Sequence, residues 1–144
     1  MPHRSVRSVV GDRRPVCVPG TMKVCDAARL MKENHVGAVL ITDERGRLSG
    51  IFTERDALYR VLAGKNDVRA TQVKQVMTRN PKTIDPEKAF EHALLMMFDG
   101  GFRHVPVVEN GRPIGVVSAR DALGPELREF DAELDHREHL REIM

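Results

Sequence analysis

The chain has 144 residues, 23 lysines and arginines against 21 aspartates and glutamates, a formal charge of +2, and 41% hydrophobic with 31% charged residues, an ordinary globular composition. That length holds one core or two intimately packed subdomains, and it excludes a β/α barrel, a two-domain dehydrogenase and any large multidomain enzyme. Near-neutral charge argues against a dedicated duplex-DNA binder, and no apolar run approaches the roughly 18 residues of a membrane helix.

The N-terminus MPHRSVRSVVGDRRP is basic but lacks the apolar core and cleavage site of a secretory signal, so the expected location is the cytoplasm. Cys17 and Cys25 are spaced for neither a zinc knuckle nor a redox pair, and they are read as two reduced, buried thiols. From 22 to 34 the spacing of Val24, Ala27, Ala28 and Met31 predicts an amphipathic helix with Thr21 as its N-cap. Strands follow at 38–42 and 48–52, joined by the turn Asp43-Glu44-Arg45-Gly46 as a hairpin. A helix opens after Thr53, and the polar segment 63–71 is a linker.

The second half runs in the same order. Phe90, Ala93, Leu94 and Met97 mark a helix over 87–99, with Asp85 capping, Pro86 at its first position and Gly100-Gly101 at its end. Strands at 104–108 and 113–117 flank the turn Glu109-Asn110-Gly111, and another helix opens after Ser118. From 125 onward an acidic helix carries Leu127, Phe130 and Leu134 on one face.

The two halves are one repeat. GRLSGIFTERDAL (46–58) lies over GRPIGVVSARDAL (111–123) at an offset of 65, with seven of 13 pairs identical, and Pro15 matches Pro81 at offset 66. The short stretch Val6–Val10 corresponds likewise to Val73–Met77. A unit of about 60 residues buries too little apolar surface alone, so the two should pack around a pseudo-twofold axis.

Each repeat carries Gly, two apolar residues, Thr or Ser, two variable residues and Asp: Gly50 to Asp56 and Gly115 to Asp121. One explanation is a capping box that starts each helix. The other is a ligand site, in which free N–H groups favour an anion, the Thr or Ser hydroxyl reaches phosphate or ribose, the Asp carboxylate accepts from both ribose hydroxyls, and the glycine lets a flat base approach the strand. Catalytic signatures are missing: there is no nucleophile elbow, P-loop or H-E-x-x-H. His136-x-x-His139 sits in the acidic tail with no third ligand evident.

These duplicated signatures, the Ala-x-x-x-Met pattern (Ala27/Met31, Ala93/Met97) and the segment FRHVPVVENGRPIG at 102–115 resemble the tandem cystathionine β-synthase (CBS) domain pair, the Bateman module, over about residues 5–124. The resemblance implies an α+β fold of two pseudo-symmetric βαββα-type repeats, 5–62 and 72–124, with linker 63–71 and the acidic helix 125–144 appended. It implies a homodimer and adenosine-containing ligands (AMP, ADP, ATP, NAD or S-adenosylmethionine) in two clefts between the repeats. It places Asp56 and Asp121 on ribose with Thr53 and Ser118 beside them. The base would lie against Val36-Gly37-Ala38 in one cleft and Arg103-His104-Val105-Pro106 in the other, near Ile51 and Val116, while Arg103, His104 and Arg120 would meet phosphate.

Leu40 and Gly37-Ala38 depart from the pattern of the second repeat, leaving the Asp56 cleft short of local positive charge, so the Asp121 cleft is expected to bind tighter. The expected function is a stand-alone regulatory sensor, not an enzyme, signalling to an effector protein in trans without metal, membrane or required cofactor. A ligand-free dimerisation or adaptor protein is the alternative, and single-stranded nucleic acid is the last choice because Tyr59 is the only tyrosine and tryptophan is absent. The dimer interface is expected on the signature helices and on the amphipathic helices that precede the strands, through apolar faces such as that of Leu95, Met96 and Met97.

Overall fold

The computed structural model describes residues 3–143, with side chains through His139. In it the apolar run Ala38–Thr42 (β2) pairs antiparallel with Leu48–Thr53 (β3). The second repeat forms the matching hairpin from His104–Glu109 (β5) and Arg112–Ser118 (β6). Gly46 at φ 77° and Gly111 at φ 80° take the left-handed conformation the two turns require. Cys17–Pro19 (β1) joins β2 in parallel and Thr78–Arg79 (β4) joins β3, giving a sheet of order β1-β2-β3-β4. In the second repeat Ile84 makes the equivalent parallel bridge to Val107.

The helices are Val6–Val10 (α1), Val24–Asn34 (α2), Glu54–Asp56 (α3), Val73–Val76 (α4), Phe90–Gly100 (α5) and Gly124–Ile143 (α6). From α3 the chain continues into a wide-pitched turn at Ala57–Leu62, with i to i+5 bonding such as Ala63 N–H to the Leu58 carbonyl at 3.0 Å. α2 buries Val24, Ala27 and Met31 and α5 buries Phe90, Ala93, Leu94 and Met97, whereas Ala28 is exposed. Cys17 is exposed and Cys25 half-buried, so the thiols are free but not both interior.

Neither expected cap opens its helix. The Asp85 carboxylate instead accepts from Glu87 N–H at 2.8 Å in a local turn, α5 starts at Phe90, and α2 starts at Val24 with no side-chain cap. Each first helical N–H is met by backbone from elsewhere: Phe90 donates to the Arg4 carbonyl at 2.8 Å and Val24 to the Thr71 carbonyl at 2.9 Å.

Those contacts reveal a swap. α1 contributes Val6 and Val10 to the core of the second repeat, with Phe90, Leu94, Val105 and Val117. α4 contributes Val73 and Val76 to the core of the first, with Val24, Met31, Val39 and Phe52. A third cluster, Ala38, Leu40 and Ile51 with Val116 against it, joins the two sheets.

The second signature does not open a full helix. Ala119–Asp121 makes one tight turn, Ala122 returns to extended backbone, and Pro125 then sits in the first turn of α6, a position that needs no N–H from it. α6 also corrects the expected interface on α5. Met97 is in the core and Met96 packs against it, Leu95 shares a cavity with Phe130 and Leu134 of α6, and Phe98 meets Phe130 edge to face at 6.2 Å.

Candidate functional site

The pseudo-twofold packing brings each signature against the other repeat. β3 and α3 place Ile51, Thr53 and Asp56 in a cleft of about 500 Å³ faced by Phe102, Arg103 and His104, with Thr78 and the stretch Asn80 to Lys82 closing it. β6 and the turn after it place Val116, Ser118, Arg120 and Asp121 in a second cleft of about 360 Å³, faced by Val36, Gly37 and Ala38 and by Arg13 to Val16. Both volumes lie in the range of small-molecule sites.

Glu54, Arg103 and His104 line both clefts. Glu54 and His104 meet at Gly37, where a Cβ would stand 2.8 Å from Glu54 Oε1 and 3.0 Å from His104 Nε2. The Asp56 cleft is therefore not short of cations: Arg55, Lys82 and Arg103 line it, and Arg55 is held by donating to the Gly101 carbonyl at 2.6 Å. Val105 and Pro106 line neither cleft; both are buried in β5, Val105 within the core of the second repeat.

The signature glycines also serve another purpose than admitting a base. A Cβ at Gly50 would stand 2.4 Å from Met77 Sδ, and one at Gly115 2.6 Å from Val10 Cγ1. Each glycine thus makes room for the swapped segment covering its strand.

The two carboxylates differ. Asp56, 7% exposed, accepts at Oδ2 from Thr53 N–H at 3.0 Å and Thr53 Oγ1 at 3.2 Å, and at Oδ1 from Thr78 Oγ1 at 3.3 Å, with Arg60 Nε at 3.5 Å. Three of its four acceptor positions are engaged by hydrogen bonds, and Arg60 stands as an ion-pair partner beside the fourth. Asp121 accepts from Ser118 N–H at 2.8 Å on Oδ2 and from Arg13 Nη1 at 2.7 Å on Oδ1, leaving one lone pair on each oxygen for two further donors, the number a ribose diol supplies. Burial lowers the His104 pKa below the ordinary 6.5; Glu54 opposes that, Arg120 and Arg103 add to it, and Asp121 opposes it.

The sequence reading found both signatures and their facing residues but missed Arg13, Arg14, Glu54, Thr78 and Lys82. The signal present was positional: Arg14 precedes Pro15 as Asn80 precedes Pro81, and both pairs line clefts. Among the described residues no cluster of metal-ligating side chains forms and no helix is long and apolar enough to cross a membrane.

Known proteins share this fold. A CBS domain protein from Pyrobaculum aerophilum complexed with AMP superposes with a TM-score of 0.79 at 25% identity, over 90% of this chain and 99% of that one. The CBS domain pair of protein MJ0100, in complex with 5′-methylthioadenosine and S-adenosyl-L-methionine, gives a TM-score of 0.74 at 25% identity over 82% and 95%. The CBS domain-containing protein CBSCBSPB1 of Arabidopsis thaliana is 37% identical over 110 residues, 76% of this chain and 20% of that protein. This chain thus spans about a fifth of the length of that relative. The CBS domain model matches twice, at residues 6–63 and 73–124, and with two such repeats packed face to face the chain belongs to the CBS domain family as a tandem pair.

Proposed function

We propose that this chain is a regulatory module that binds adenosine-containing ligands in its two inter-repeat clefts, more tightly in the Asp121 cleft, and signals occupancy to an effector protein in trans as a homodimer. The observation that carries this reading is the acceptor state of Asp121: a carboxylate in a cleft, fixed by Ser118 and Arg13, with two lone pairs free. Asp56 must release Thr78 or Thr53 before it accepts from both hydroxyls of a ribose, which costs about a hydrogen bond's net worth, ~1 kcal/mol. Adenosine-containing ligands bound to similar folds support the ligand class. Exposed Leu58, Tyr59 and Leu62 support the homodimer.

Calorimetric titration with AMP tests the ranking. Asp121→Ala is expected to remove the tighter event and Asp56→Ala the weaker one. Loss of the tight event in Asp56→Ala alone overturns the ranking. Wild-type protein that melts at the same temperature with and without AMP, ADP, ATP, NAD and S-adenosylmethionine is the adaptor instead, because a ligand at 100 times its Kd stabilises by about 2.7 kcal/mol.

A further inference from the structure

Arg13 reaches Asp121 from the segment that follows α1. Its Nη1 donates to Asp121 Oδ1 at 2.7 Å, Nη2 to the Val9 carbonyl at 3.3 Å and Nε to the Val10 carbonyl at 3.4 Å. The guanidinium is thereby held on the cleft wall by the end of α1 as well as by the carboxylate.

The same side chain has no counterpart in the other cleft. Arg79 occupies the matching repeat position, yet it lines a separate surface depression with Lys74 and Arg45, and Asp56 meets Thr78 and Arg60 instead. The Asp121 cleft is lined by four arginines, 13, 14, 103 and 120, against Glu54 and Asp121. The Asp56 cleft has three cations against two acids, beside the apolar Leu58, Tyr59 and Phe102.

A carboxylate that binds a ribose also repels a phosphate on the same sugar, and like-charge juxtaposition is costly in a partly desolvated cleft. Arg13 removes that conflict without closing the carboxylate, since each oxygen keeps a free lone pair. We propose that Arg13 is the specificity-determining residue of the Asp121 cleft, giving it a preference for nucleoside phosphates over uncharged nucleosides. The assignment rests on the reading of that cleft as an adenosine-ligand site.

The test is calorimetry on the full chain with AMP and adenosine as probes, following the binding event that Asp121→Ala removes. Arg13→Gln is expected to weaken AMP about fivefold or more while adenosine changes by less than about twofold, the size expected for a half-exposed charge acting on an anion. Arg13→Lys keeps the unit charge that acts on the phosphate, Arg79→Gln removes the symmetry-related one, and both are expected to keep the AMP-to-adenosine ratio within about twofold of wild type. An unchanged ratio in Arg13→Gln, or a ratio in Arg13→Lys as low as in Arg13→Gln, overturns the role of Arg13 while leaving the cleft as a ligand site. Wild-type protein that binds neither probe, or binds both equally well after Asp121→Ala, overturns the underlying site and this proposal with it.

Discussion

His104 stands at the start of β5 on the wall shared by both clefts, against Gly37 and Glu54 of the other repeat, with Arg103, Arg120 and Asp121 also acting on it. Burial keeps its pKa below 6.5, so the folded chain holds a neutral imidazole at pH values where an unfolded chain has begun to protonate it. The unfolded state then binds more protons, and stability falls as the pH drops from about 7 through the unfolded histidine value near 6.5 and on to the lower folded value. The melting temperature without ligand is expected to fall between pH 7.5 and 5.5, and less steeply in His104→Gln; parallel curves would show that His104 does not titrate within the fold. A phosphate in the cleft reverses the sign, because it favours the imidazolium that burial disfavours. AMP affinity is therefore expected to rise as pH falls from 8 to 6, by up to about tenfold for each unit the pKa climbs on binding. His104→Gln should flatten that rise, and adenosine, which lacks the phosphate whose own second pKa lies near 6, is the reference.

β3 and β6 each carry their signature glycine under a side chain delivered by the segment exchanged between the repeats. Val10 over Gly115 is branched and buried, while Met77 over Gly50 is unbranched and half-buried. Gly115→Ala is thus expected to destabilise by about 1–3 kcal/mol through overpacking, and Gly50→Ala by less than about 1 kcal/mol because the thioether can move aside. Denaturant midpoints at constant m-value check the order; a costlier Gly50→Ala would mean that Met77 is the more rigid lid. The hairpins were legible in the sequence because their signals are local: short apolar runs, a turn, and a glycine where φ is positive. Helix starts were not. Thr21 and Asp85 look like caps, but α2 and α5 begin where Thr71 and Arg4 offer carbonyls, and no local pattern announces a carbonyl supplied from a distant segment. The site divides the same way: Asp56 and Asp121 were legible as a repeated motif, whereas the Arg13 contact requires α1 to lie on the second repeat.

At the scale of the molecule, α6 covers the outer face of α5, and the wide-pitched turn at Ala57–Leu62 leaves Leu58, Tyr59 and Leu62 at 52%, 63% and 68% exposure. Three large apolar side chains on one short element mark an association surface, and twofold closure is the commonest outcome. Wild type is expected to have the mass of two chains by light scattering at micromolar concentration, and Leu62→Glu the mass of one; a wild-type monomer contradicts the homodimer. The exchange of α1 and α4 between the two cores bears on how the chain is made. Val6 is made before the first repeat, yet it packs in one core with Val117, which follows 111 residues later; at synthesis rates of about 5–20 residues per second that is a wait of roughly 6–22 s. Until Phe90 and the strands of the second repeat are made, Val6 and Val10 lack the core they join, while α4 is available to the first repeat much sooner. The first repeat can thus complete its core during translation, whereas the second must recover α1 from ahead of the first repeat to finish.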